Sequence, residues 1–387
     1  MKIRSVTCFL GVNETLTDAS LERAAALNES ARAMATDAGF VLQTTRLAAQ
    51  PLHAILRENP AREFGRAFEK NYRALGFDYG ALLLSSPELY ADASTLVQEN
   101  SSLFVSLAIA SKKNGIDFDA LRAAAITIHA LGHDKAEGLS NFRFAASANV
   151  PPNVPFFPTA YAGDDTPSFA FAAQAADLAV DAFTDARDLN DARTRLVNVL
   201  ETHGARLDEW GKQLQAKSGV RYAGIDFSLA PYPDENNSLA TALERLAGAR
   251  FGTRGTLFAA SFVTDTLRLA KFTRAGFSTL MLPMLEDWTM ARRSHENLYS
   301  LDSLLLYSTV CGTGLDTIPL AGDTTQHEIA ALLLDLAALA VKLDKPLTAR
   351  LIPVPDLSAG ESTQFNFEYF ANARAFGIDA DTRMKLV

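Results

Sequence analysis

Short apolar runs alternate along the chain with longer stretches whose apolar positions recur every three to four residues. Ile3–Leu10, Val41–Leu47, Tyr79–Leu84, Leu103–Ala110, Phe142–Ala148, Tyr222–Leu229, Phe277–Leu282 and Leu347–Val354 predict strands. Leu103–Ala110 is apolar at nearly every position, as a strand buried on both faces requires. Ala19–Ala38, Asp117–Leu131, Asp177–Ala216, Ser238–Leu246, Thr256–Phe272, Glu286–His295, Leu301–Ser308 and Thr325–Leu343 carry the helical pattern. Asp18 or Ser20 suits the cap of the first helix, and Gly39 follows its end. Asp177–Ala216 is long and charged and reads as two helices. Val150–Ala162 is a proline-rich loop, and Phe365–Phe370 is either a final strand or the wall of a pocket. About ten strands separated mostly by helices argue for a parallel β/α organisation. The one place for a boundary, Asp188–Gly219, has a helical pattern and not a linker's. The expectation is a single α/β domain over residues 1–387 with a helical excursion at about 177–216.

Composition narrows the function more than the fold. The 387 residues are 48% hydrophobic and 21% charged, and 36 Lys+Arg against 45 Asp+Glu give a net charge of −9. A phosphate-binding surface needs the opposite balance, so nucleic acid is not an expected partner. The two cysteines, Cys8 and Cys311, exclude a disulfide scaffold and a four-cysteine zinc site, and they suit a reducing cytoplasm. The apolar run after Lys2 and Arg4 is too short for a secretory core. Ile329–Leu343 contains Asp335 and Lys342 and falls short of the roughly 20 apolar residues of a membrane span. The expected partner is a small molecule, met in the cytoplasm and away from membranes.

Several residues carry chemistry by type and position. Asp226 and Ser228 share one face of an apolar strand. Facing inward, an acid there is desolvated and suits proton transfer or metal binding; facing outward, it makes a structural hydrogen bond. Glu286 follows Pro283 at the end of a strand, where β/α barrels hold active sites, although acids are also favoured in a first helical turn. Cys311 stands before Gly312 and Gly314, which permit close backbone approach to a ligand, and Asp316 lies five residues on. The alternative for Cys311 is a small buried packing residue. Gly252, Thr253, Arg254, Gly255 and Thr256 precede a helix and offer either an anion site or a plain capping turn. Asn149 and Asn153 flank Pro151 and Pro152 in a rigid polar loop that either binds substrate or only shapes the chain, with Phe156, Phe157 and Tyr161 as a possible apolar wall. His129 and His133 are four apart but lack the HExxH pattern. No cofactor or metal is assigned by these residues.

Six segments in order resemble one known family. They are Ile3-Arg4-Ser5-Val6-Thr7, Val105 to Asp117, Phe144 to Val150 followed by Asn153-Val154-Pro155-Phe156-Phe157, Ile225-Asp226-Phe227-Ser228-Leu229-Ala230-Pro231, Gly252 to Thr256, and Cys311-Gly312-Thr313-Gly314-Leu315-Asp316. Together they resemble the family called domain of unknown function 711. The chain departs from that family at Arg254, usually histidine, and at Gln364 to Tyr369, which replace a glycine-rich segment. The resemblance implies a ten-stranded β/α barrel like that of pyruvate formate-lyase, with an interior loop, and a homodimer. In related barrels the interior loop presents a cysteine for radical chemistry. Here Asp379 to Val387 hold nothing like the glycyl-radical element, so self-contained radical catalysis is not expected. The resulting expectation is an enzyme of lyase or hydrolase type for a small polar or acidic metabolite, using Asp226, Glu286, Cys311 and Asp316. The alternative is a non-catalytic small-molecule-binding or regulatory protein on the same scaffold.

Overall fold

A computed structural model describes residues 1–17, 19–164 and 166–379. Of the two cap candidates for the first helix, Asp18 lies outside them, as do the final residues 380–387, and Ser20 is the first helical residue, with Ala19 at the cap position. Ten strands form one mixed sheet: β1 Lys2–Leu10, β2 Leu42–Ala49, β3 Tyr79–Leu84, β4 Leu103–Ser111, β5 Gly115–Ile116, β6 Phe144–Ala148, β7 Ser168–Gln174, β8 Arg221–Ala230, β9 Gly314–Ala321 and β10 Leu347–Val354. The order is β8-β7-β1-β2-β3-β4-β6-β10-β9, with β5 paired on β4.

The expected all-parallel sheet is not what forms. β1, β2, β3, β4 and β6 run one way. β7 meets β1 antiparallel and β10 meets β6 antiparallel, while β7 pairs parallel with β8 and β9 with β10. The sheet therefore has two internally parallel halves of opposite direction. Its ladder leaves β8 and β9 as edges. The segment 274–283 touches both through isolated parallel bridges, Ile225 to Arg274 and Pro283 to Asp316.

That segment contains the expected strand Phe277–Leu282, which does not form. Phe277 and Ser278 give their N–H groups to the Asp226 carboxylate at 3.0 and 2.9 Å instead of to a ladder, and Ser278 has a left-handed φ of 44°. Three strands, β5, β7 and β9, were not expected. Both alternatives for Phe365–Phe370 are resolved: no strand forms, and Phe367 and Tyr369 line a cavity.

Every expected helix forms, and Leu52–Ile55, Ala61–Ala74 and Ala93–Glu99 are helices that were not expected. Asp188 caps Leu189–Ser218 by accepting from Asp191 N–H, and Gly219 ends it at φ 69°. Thr325 and Glu328 form a reciprocal capping box on Gln326–Leu343. The excursion at 177–216 is two helices, Ala176–Thr184 and Leu189–Ser218. These helices lie on one face of the sheet and share a continuous buried cluster running from Ile3 to Phe376. The other face meets the loop 150–162. Phe157, Ala160 and Ala162 pack there against Phe9, Ala48, Ala81, Phe104 and Ala170, one from each of β1, β2, β3, β4 and β7. Alanines at three of those five positions leave room for the loop.

Candidate functional site

A cavity of about 80 Å³ lies where β1, β2 and β3 begin and β7 and β8 end. One wall is charged. Arg350, on β10, donates from Nε to Asp316 Oδ1 at 2.7 Å and from its terminal nitrogen to Glu286 Oε1 at 2.9 Å. Arg4, on β1, pairs with the second oxygen of Glu286. The result is a buried chain: Arg4, Glu286, Arg350, Asp316. Each charge removed from water is compensated by a neighbour, which such burial requires.

The two acids of that chain are driven apart. Burial pushes Glu286 up, but Arg4 and Arg350 outweigh it and hold Glu286 below the usual carboxylate range. Burial dominates at Asp316 and raises it despite Arg350, because Glu286 sits close by with a like charge. One oxygen of Asp316 is committed to Arg350, and its second has no hydrogen-bond partner among the described residues. Backbone conformation is strained beside it, since Thr317 is β-branched and has φ 47°.

Asp226 and Ser228 also line the cavity, on adjacent same-face positions of β8. Ser228 donates its hydroxyl to Asp226 Oδ1. With the Phe277 and Ser278 amides, this gives Asp226 three donors. Burial raises its carboxyl, and these donors lower it only in part. Gly276, at φ 61°, is held against this acid, and any Cβ there would overlap Oδ2. Asp226 thus fastens the irregular segment 275–279 to β8.

A second wall is aromatic and meets the charged one where the Arg350 guanidinium sits over the Phe142 ring at 4.8 Å. Tyr79, Phe104, Phe142, Phe157, Phe367 and Tyr369 form it, with neighbouring ring centroids 5.3–5.9 Å apart. Arg46 on β2 lies between the walls. Its guanidinium sits over the Phe157 ring at 5.1 Å and the Tyr79 ring at 5.9 Å, and Nε donates to Thr44 at 3.0 Å. Burial and the neighbouring Arg4 pull Arg46 down to about 10, so it remains a cation at neutral pH. Among the described residues no carboxylate lies within ion-pair distance of it.

The remaining sequence candidates fall elsewhere. Cys311 is fully buried outside the lining, its carbonyl accepting from Lys345. Gly312 packs on Thr279 and Gly314 on Thr348, each too close for a side chain. Gly252 donates to Thr256 Oγ1 at 3.0 Å and Thr253 to Arg250 O at 2.6 Å; Arg254 and Gly255 are exposed at the helix start, away from the cavity. Asn149 donates to Ala340 O at 2.7 Å, and Asn153 accepts from Gly163 N at 3.2 Å. Phe156 and Phe157 line the cavity, whereas Tyr161 faces a different one beside Asn149. His129 and His133 stack at 4.5 Å, and the described residues contain no group of three potential metal ligands.

A protein-family model described as Uncharacterised ACR (DUF711) matches residues 1–367. The chain belongs to this family. The UPF0210 protein of Pyrobaculum aerophilum is 30% identical over 361 residues, covering 87% of this chain and 78% of the relative. That of Pyrobaculum arsenaticum is 31% identical with the same coverage, and that of Methanococcus aeolicus is 24% identical over 382 residues, covering 92% and 83%.

Within this DUF711 chain, the sequence reading had singled out Asp226, Ser228, Glu286 and Asp316, and the fold brings these four together. It had passed over Arg4, Arg46 and Arg350. Their signal was the one that exposed Asp226: a charged residue inside an apolar strand pattern. No helix is long and apolar enough to cross a membrane among the described residues.

Proposed function

We propose that this chain is an enzyme that binds a small acidic metabolite in the cavity, anchors the anionic group on Arg46, and moves a proton on it with Asp316 and Glu286. The observation that carries the reading is Arg46, a cavity-lining cation that lies over two aromatic rings and has no acidic partner among the described residues. A guanidinium without a carboxylate partner keeps terminal N–H donors for a ligand, and a carboxylate or phosphate can meet them bidentately. Asp316 and Glu286 supply the complementary pair: two acids whose surroundings push them in opposite directions divide into a proton donor and a proton acceptor. Asp226 and Ser228 act as positioning residues in this reading. Cys311, the turn 252–256, Asn149 and Asn153 shape the chain.

The test is solvent-proton exchange. Small carboxylic acids are incubated with the protein in deuterium oxide, and deuterium entering the position next to the carboxylate is followed by NMR. Exchange with the wild type, lost in Asp316→Asn with binding retained, is the expected result. Arg46→Gln should weaken binding about 30- to 100-fold, or about 2–3 kcal/mol. Binding without exchange would favour the second reading, a non-catalytic binding protein. That reading has its own support, because both Glu286 oxygens are already engaged by arginines.

The same reading takes residues 1–387 as one domain and the sheet as a barrel of the pyruvate formate-lyase type. Its support is the opposed direction of the two halves and the bridges that 274–283 makes to both edges. Amides in 274–283 that exchange as slowly as those of β8 would support closure, and fast exchange throughout would refute it. The cytoplasmic setting and the homodimer remain parts of this proposal; sedimentation equilibrium tests the dimer.

A further inference from the structure

Three features of the cavity narrow the chemistry of its occupant, given the reading above that an anion binds Arg46. The first is charge. Arg4, Arg46 and Arg350 face Asp226, Glu286 and Asp316, so the lining balances when all are ionised. A monoanion is then compensated by a single proton taken up on the acids. A dianion needs two, or leaves uncompensated charge in a buried site, which is strongly unfavourable.

The second is size. At about 80 Å³ the space is roughly half of a 150 Å³ cavity known to accept benzene. It therefore holds a carboxylate and a few further atoms. The third is the aromatic wall. Phe104, Phe142 and Phe367 offer ring faces and edges, and the cation nearest to them, Arg350 over the Phe142 ring at 4.8 Å, is already committed to Glu286 and Asp316. An occupant with an acidic group at both ends would set one of them against these rings.

We propose that the site selects short monocarboxylic acids of roughly two to five carbons, the carboxylate on Arg46 and an apolar flank on the Phe104–Phe142–Phe367 wall. The hydrogen-bonding groups of Glu286 and Asp316 then face the carbons next to the carboxylate. Phe367 belongs to the segment after β10 that has no regular structure, and it determines how long an acid fits.

Isothermal titration calorimetry on the full chain tests this with acetate, propionate, butyrate, hexanoate, succinate and inorganic phosphate. Propionate and butyrate should bind at least tenfold tighter than hexanoate, succinate or phosphate. Arg46→Gln should weaken butyrate at least thirtyfold. Phe367→Ala should improve hexanoate about fivefold with little effect on propionate. Succinate or phosphate binding tighter than butyrate, and equally dependent on Arg46, would overturn the selectivity while leaving the anion site intact. No binding of any of the six to the wild type would overturn both. If Arg46→Gln fails to fold by circular dichroism, the Phe367→Ala comparison decides alone, and no change in the hexanoate-to-propionate ratio overturns the proposal.

Discussion

The two halves of the sheet differ in regularity as well as direction. In β1, β2, β3, β4 and β6 no residue other than glycine has a positive φ. In the opposite half, Leu229 on β8, Ser278 on the segment 274–283 and Thr317 on β9 all do, at 47°, 44° and 47°. Each stands beside a residue already described: Ser228, the amides that hold Asp226, and Asp316. Such conformations cost of order 1–3 kcal/mol each and survive only where the surroundings fix them. The regular half contributes Arg46 from an ordinary strand and Arg4 from the register shift of β1 against β7; the strained half aims the acids. The comparison teaches that the catalytic face, as proposed, is made by distorting one half and leaving the other as a stiff frame.

The largest effect should come from cutting the charged chain. Arg350→Met leaves Glu286 and Asp316 buried without their shared cation, and urea unfolding should show a loss of about 3–5 kcal/mol. The exposed Arg66 pairs with Glu99 on helices packed against β3 and β4, where Arg62 also holds that acid, so Arg66→Met should give no resolvable change. If the two losses are alike, the distinction between halves fails.

Two glycines sharpen the contrast. Gly115 at φ 76° has open space where a Cβ would go, so Gly115→Ala should cost about 1–2 kcal/mol for the left-handed backbone alone. Gly276→Ala adds an overlap with Asp226 and should cost more, with the excess removed in an Asp226→Ala background. Thermal unfolding of the four variants measures that coupling.

A smaller effect is the pH slope. Glu286 is depressed in the folded chain, so its contribution is present above the unfolded carboxylate range and disappears as pH falls through its native value. Asp226 is raised, so its ionised form costs stability as pH rises through the unfolded value, fully so above its native one. On acidification, the stability advantage of wild type over Glu286→Gln should shrink and that over Asp226→Asn should grow. Denaturant titrations across the acid range check the two signs. The smallest expected effect is none: burial pushes the Cys8 thiol up to about 12, so it should not react with thiol reagents until the chain unfolds.

Much of the fold was legible in the sequence. Tyr79–Leu84, Leu347–Val354 and Leu301–Ser308 match their observed bounds, because a buried strand or capped helix writes its period directly into residue type. The strained half was harder. Phe277–Leu282 has a strand's pattern, but Asp226, 51 and 52 residues away, captures its amides. β9 contains Asp316, Thr317 and Pro319, none of them favoured in strands by local preference except Thr317, and only the docking of β10 makes it a strand. At the site the acids were recognisable and the arginines were not, because a mid-strand arginine far from any acid in sequence gives no hint of its partner.

The ion pair between Arg4 and Glu286 spans 282 positions of chain, and that between Arg350 and Glu286 spans 64. Residues this remote meet only after both ends of the sheet have docked, so the cavity is absent from any partly assembled state. An occupant bound there would favour the complete topology over every incomplete one, by about 2.7 kcal/mol at a hundred times its dissociation constant. Under the proposed function, the salt-bridge chain would make metabolite supply and folding yield two readings of one equilibrium.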